Sequence, residues 1–217
     1  MALAIFDLDN TLLGGDSDHS WGEFLIAKGL VDKDSYGEKN DWFYQQYLLG
    51  QLDITAWLEF SLAPLVDQDP QTLGNWHAEF MRDWIMPMML PAAASLLTDH
   101  RDRGDFLLII TATNGFVTRP IAELLGVDDI LASEGEIIDG RYTGRASGVP
   151  CYQEGKVERL QQWLDETGHS REDSYFYSDS RNDLPLLCKV AHPIAVDPDE
   201  VLKQYALDHN WKVISLR

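Results

Sequence analysis

The chain has 217 residues, 45% of them hydrophobic, with 17 basic residues against 36 acidic ones and a formal net charge of −19. That length carries one α/β domain with a substantial core, plus an insertion. A field of this sign repels nucleic acid and anionic lipid, which excludes partners that need a basic footprint, and it obliges any phosphorylated ligand to find local cations or a metal.

The first eight residues have no basic start and no long apolar stretch, so they are not expected to be a signal peptide. No run of about 18 apolar residues occurs, and no membrane span is expected. The two cysteines, Cys151 and Cys188, form no framework and no metal spacing. They read as free thiols in a reducing compartment, which implies a cytoplasmic protein.

Five short apolar runs, 3–8, 106–111, 174–178, 193–196 and 211–216, read as strands of a parallel sheet covered on both faces. Helical patterns fall between them. The first, 92–103, precedes the second strand. The next, 116–125, stops at Gly126, and 155–167 stops at Gly168, both fitting C-terminal signals. The last, 198–209, has Pro198 suited to a first turn. This alternation predicts a doubly wound α/β domain. Two segments interrupt it. Residues 14–89 contain no convincing strand but carry helical stripes at Trp21, Phe24 and Leu25, at Phe43 and Tyr47, at Trp57 and Phe60, and at Trp76, Phe80 and Trp84. They read as a four-helix insertion, leaving 1–13 and 90–217 as the core domain. Residues 134–145 read as a β-hairpin turning at Asp139–Gly140, a dipeptide suited to a type I′ turn.

The chemistry sits at strand ends. The first strand runs into Asp7-Leu8-Asp9-Asn10-Thr11, and strand alternation puts Asp7 and Asp9 on one side of the chain at its carboxyl end. Open parallel sheets bind ligands at that edge. Two carboxylates so close need a metal ion or a shared proton. A second acidic pair, Asp179 and Asp183 with Asn182 between them, follows the strand at 174–178, where helix capping is the plain alternative. Hard oxygen donors of this kind suit magnesium. The strand at 106–111 delivers Thr111 to the same edge, followed by Thr113, Asn114 and Gly115, where a hydroxyl and free N–H groups can hold phosphate. Lys156 opens a helix against its dipole, a position that favours an anion or a carboxylate opposite.

Asp-x-Asp-x-Thr, a strand-end threonine, a lysine opening a helix and Asp-x-x-x-Asp after a strand, in that order, resemble the haloacid dehalogenase superfamily. Within it, the chain resembles the phosphoserine-phosphatase-like subfamily with a helical cap after the first strand. The resemblance covers essentially the whole chain. It departs at Thr111-Ala112-Thr113-Asn114-Gly115, where the family often has serine and two glycines, so either Thr111 or Thr113 can take the phosphate-binding role; strand length favours Thr111.

The resemblance implies a phosphoric monoester hydrolase. Asp7 is then the nucleophile, Asp9 the acid and base, and Thr111 and Lys156 the phosphate-binding pair. Magnesium is held by Asp7, Asp179 and the backbone of Asp9, with Asp183 and Asn182 in support. Asp16 or Asp18 can meet a substrate amine and Arg82 a carboxylate, with His19 and His77 either lining the cap or exposed. Helix capping is the plain alternative for Asp16, and a surface position for Arg82. The expected partner is a small phosphate ester. Histidinol phosphate is favoured and phosphoserine comes next, because an acidic, aromatic-rich cap suits a cation without a carboxylate. Two competing classes remain. A phosphotransferase or mutase on this scaffold would release little phosphate without an acceptor. A receiver-like phospho-accepting module would lack the helical insertion and the carboxylate two residues after the nucleophile.

Overall fold

The computed structural model describes residues 2–217. Seven strands form one sheet: β1 Leu3–Phe6, β2 Phe106–Asn114, β3 Asp129–Ile138, β4 Arg141–Ser147, β5 Ser174–Ser178, β6 His192–Val196 and β7 Lys212–Ile214. Their order across the sheet is β4-β3-β2-β1-β5-β6-β7. Every neighbouring pair is parallel except β3 with β4. The nine α-helices among the described residues are α1 Ser17–Ala27, α2 Lys33–Leu49, α3 Ile54–Leu62, α4 Pro70–Phe80, α5 Pro91–Asp102, α6 Gly115–Leu125, α7 Glu154–Thr167, α8 Leu184–Leu187 and α9 Glu200–Asp208.

The central strand β1 is apolar and buried throughout because both faces of the sheet are covered there. On β1, Ala4 and Phe6 join the cluster formed with α5, α6 and the inserted helices. Leu3 and Ile5 join the opposite cluster, with Leu160 and Trp163 of α7 and Leu202 of α9. Burying a side chain of this size contributes roughly 1.5–3 kcal/mol relative to leaving it exposed.

Each inserted helix starts at an aspartate. Asp16, Asp32, Asp53 and Asp69 cap α1 to α4 by accepting backbone N–H groups of the first turn, a contact worth about 1 kcal/mol at each helix. Trp21, Phe24 and Phe80 close the interior of the insertion, with Trp21 edge-on to Phe80 at 5.1 Å. Gly22 lets α1 and α2 approach closely, since a Cβ there would stand 2.5 Å from the Asn40 side chain. The two connections of the insertion to the sheet domain run side by side: Leu13 pairs with Met89, and Gly14 N–H donates to the Met88 carbonyl at 2.8 Å.

Several element ends differ from the sequence reading. The hairpin is the outer part of a longer unit. β3 begins at Asp129 and pairs with β2 from Leu108↔Asp129 to Ile110↔Leu131 before turning back into β4. The turn itself is as expected, with positive φ at Asp139 (51°) and Gly140 (75°). β2 continues to Asn114, beyond a register shift after Ile110. Pro198 precedes α9 rather than sitting in its first turn, and Asp199 is the cap.

Candidate active site

The carboxyl ends of β1, β2 and β5 meet the first turns of α1 and α7 beneath the insertion. Asp7 leaves β1 with its N–H still paired to the Tyr177 carbonyl at 2.9 Å, so the end of the strand fixes its position. Lys156, only 2% exposed, donates to Asp7 Oδ1 at 2.7 Å and to both oxygens of Asp183 at 2.7 and 2.8 Å. The carboxylates that a lysine in a first helical turn requires are therefore present. Its placement depends on Gly155, where a Cβ would stand 2.0 Å from the Pro150 carbonyl oxygen. Burial alone would lower the Lys156 ammonium, but Asp183 and Asp7 override this and hold it above the usual lysine range.

Thr11 joins the two strand ends. Its hydroxyl accepts from the Asp179 N–H at 3.1 Å and donates to Asp179 Oδ1 at 3.1 Å, with Asp7 Oδ2 3.5 Å away. Ser178 donates to Asp183 at 2.7 Å, fixing the carboxylate that faces Lys156. Sequence reasoning assigned roles to neither Thr11 nor Ser178, although the threonine of Asp-x-Asp-x-Thr was the available signal for Thr11.

Asp9 lines the same cavity but has different partners. It accepts from Ser17 N–H at 2.6 Å and from the Thr113 hydroxyl at 2.8 Å. Burial raises it to about 7, the charge of Asp16 adds to this, and the Ser17 and Thr113 hydrogen bonds oppose it. Burial also raises Asp7 to about 7, against the pull of Lys156. Asp179 is pushed well above the ordinary carboxylate range by burial and then by the charges of Asp7 and Asp183, with Thr11 opposing. Two of these carboxyls, Asp7 and Asp183, hold the one ammonium, and Asp9 and Asp179 add their charge beside them. Such a set is stable only with protons or a further cation, and its hard oxygen donors fit magnesium.

Thr111 and Thr113 both line the cavity, but they are not equivalent. The Thr113 hydroxyl is engaged by Asp9, whereas the Thr111 hydroxyl accepts from Thr113 N–H at 3.2 Å and keeps its proton to donate.

Above these groups lies a cavity of about 40 Å³ walled from the insertion by Asp16, Asp18, Asn40, Tyr44 and Trp57. Of these, the sequence points only to the two aspartates, because nothing in the spacing of α2 and α3 says which face turns to the sheet. His19 also lines the cavity and pairs with Asp41 at 2.8 Å. His77 is buried instead, with Nε2 on the Val117 carbonyl at 3.1 Å between insertion and sheet domain.

Three expected contacts are corrected. Arg82 lies on the solvent side of the turn after α4, mostly exposed and forked onto Asp83 at 2.7 and 2.6 Å, while Phe80 and Ile85 take the inward positions. Asn114 caps α6 through Val117 N–H and donates to Ser61, so both ends of its amide are engaged within the protein. The Asn182 amide, expected to support a metal, is engaged within the protein instead. It donates to the Tyr47 carbonyl at 3.0 Å and accepts from Tyr152 and Gln153, tying its loop to the end of α2.

The model of the haloacid dehalogenase-like hydrolases matches residues 4–187. The histidinol-phosphatase of Neisseria meningitidis serogroup C (strain 8013) is 45% identical over 219 residues, covering 99% of each chain. A crystal structure of a protein of unknown function from Bordetella pertussis Tohama I superposes with a TM-score of 0.94 at 44% identity, over 100% of this chain and 99% of that one. A substrate-bound phosphoserine phosphatase shares the fold, with a TM-score of 0.72 at 18% identity over 100% of this chain and 93% of the other. No helix among the described residues is long and apolar enough to cross a membrane.

Proposed function

This chain belongs to the haloacid dehalogenase-like hydrolases, and from that membership we propose that it is a magnesium-dependent phosphatase of small amine-bearing metabolites, histidinol phosphate foremost, acting through an aspartyl phosphate on Asp7. The observation that carries the reading is the buried Asp7–Lys156–Asp183 array, with Asp179 held beside it by Thr11. The full-length likeness to the Neisseria histidinol-phosphatase supports the substrate, as does an acidic and aromatic cavity wall.

Asp7 attacks phosphorus and forms an acyl phosphate, splitting a difficult displacement into two steps. Lys156 donates to Asp7 on one side and is held by Asp183 on the other, so it stays charged where charge builds on the phosphoryl oxygens. Thr111 donates its free hydroxyl proton to one of those oxygens. Asp9, poised near neutrality by burial, protonates the leaving oxygen and then takes a proton from the attacking water. Asp7 and Asp179, with the backbone carbonyl of Asp9, would hold the magnesium. When bound, it neutralises carboxylate charge and offers a ligand position to phosphate. Segment 14–89 acts as the cap that keeps bulk water from the acyl phosphate.

Hydrolysis of histidinol phosphate, followed as phosphate release with magnesium and with chelator, tests the reading. Turnover that survives chelation contradicts the metal requirement. Release only in the presence of an added acceptor favours the phosphotransferase class.

A further inference from the structure

We propose that Asp18, not Asp16, is the carboxylate that reads the cationic end of the substrate, and that the cavity rejects phosphate esters carrying a carboxylate at that end. The inference rests on the phosphatase reading above and narrows its substrate class to amine phosphates without an acid group.

The two aspartates differ in what already holds them. Asp16 is the N-cap of α1, and its Oδ1 accepts from His19 N–H at 2.8 Å. Asp18 lies one residue inside the same helix, lines the cavity, is 8% exposed and leaves Oδ1 without a hydrogen-bond partner. A buried carboxylate oxygen with no donor is costly unless a proton or a cation meets it. The start of a helix offers some compensation through its dipole, but less than a full positive charge. Burial pushes the Asp18 carboxyl well up, Asp16 and Asp9 push it further, and the Trp57 indole opposes them. An ammonium or imidazolium from the ligand relieves all three destabilising effects at once.

The rest of the wall agrees. Among its lining residues there is no lysine and no arginine. The one basic side chain is His19, whose Nε2 is taken by Asp41. Phe43, Tyr44 and Trp57 supply aromatic faces suited to a cation or a flat heterocycle. A substrate carboxylate in this space would face Asp16 and Asp18 with no counter-charge, and like charges at close range raise its binding cost steeply. Arg82, which sequence reasoning offered for that role, lies outside the cavity.

O-Phosphoethanolamine and O-phosphoserine differ only by one carboxylate, so they test the exclusion on the unaltered protein with magnesium. The proposal expects kcat/KM at least about 10-fold higher for phosphoethanolamine. Equal rates, or a preference for phosphoserine, overturn it. In Asp18→Asn, the preference for phosphoethanolamine over p-nitrophenyl phosphate falls about 10- to 100-fold, mainly through KM, as expected for loss of a charge-assisted contact. Asp16→Asn, which still caps the helix, moves that ratio far less. An equal loss on all substrates in Asp18→Asn would reduce Asp18 to a structural residue and overturn the assignment. Binding of phosphate-free histidinol, followed by NMR titration, separates the two readings. Binding that depends on Asp18 in a protein without phosphatase activity would remove the phosphatase reading and keep the site. Histidinol affinity unchanged in Asp18→Asn, with phosphatase activity intact, would do the reverse.

Discussion

Lys156 and Asp7 are 149 residues apart in the chain, and Nζ of one donates to Oδ1 of the other at 2.7 Å, with both side chains buried. The contact joins the end of β1 to the first turn of α7, and Asp183 completes it from the loop after β5. Lys156→Met leaves two buried carboxylates without their counter-ion. Breaking such a pair costs about 3–5 kcal/mol, which urea denaturation would read. Removing the cation from the phosphoryl site lowers turnover by at least about 100-fold.

The two threonines of β2 predict different kinetic losses. Thr111→Val removes a hydroxyl whose proton is free, so it weakens phosphate binding; KM and the inhibition constant for inorganic phosphate rise by about 10-fold. Thr113→Val removes the donor to Asp9 Oδ2, so kcat falls while phosphate inhibition changes little. Steady-state kinetics with phosphate as product inhibitor distinguish them, and the reverse pattern would exchange their roles.

Gly155→Ala is expected to damage the site without touching a reacting group. Its Cβ would meet the Pro150 carbonyl oxygen at 2.0 Å, a backbone atom with no flexible end to yield. The start of α7 must move, and Lys156 moves with it. Overpacking of this kind costs typically ~1–3 kcal/mol, and a displacement near 1 Å is enough to lower rates by about 100-fold. Thermal melts and kcat are the readouts; a variant with wild-type kcat contradicts the coupling.

Much of this was legible because chemistry-bearing residues follow apolar runs. Asp7 and Asp179 stand where strands end, and Thr111 where the ladder of β2 shifts register after Ile110; a parallel sheet brings these edges together whatever the intervening chain does. Lys156 was legible as a charge against a helix dipole. The beginning of β3 was not, because Asp128 and Asp129 break the apolar run: Asp128 instead accepts from the Leu107 N–H and Asp129 from the Trp163 indole, so both charges are satisfied beside the sheet. Asn114 and Asn182 read as ligand groups because amides suit either role, and only tertiary contacts show them tied to a helix cap and to the end of α2. The cavity walls from α2 and α3 were illegible for the same reason. A stripe of aromatics fixes a buried face but not what lies beyond it.

Asp18 also predicts a pH effect on stability. Its carboxyl is held well above its ordinary value of 3.8, by burial first and then by Asp16 and Asp9. The fold therefore prefers the protonated form. Stability is lost as pH rises above the unfolded value, and the loss is complete above the folded one. Asp18→Asn removes this ionisation penalty, so at pH 8 the ligand-free variant melts above the wild type. A gain of ~1 kcal/mol corresponds to about 2–4 °C at this chain length. The margin shrinks toward pH 4, and a margin that grows on acidification contradicts the argument.

The central claim is that Asp7 carries the phosphoryl group. Quenching turnover of histidinol phosphate with borohydride reduces an acyl phosphate to the alcohol, and peptide mass spectrometry then locates it. The account predicts homoserine at position 7 alone, absent without substrate. Turnover with no reduced residue, or reduction at Asp9 or Asp179 instead, would contradict it.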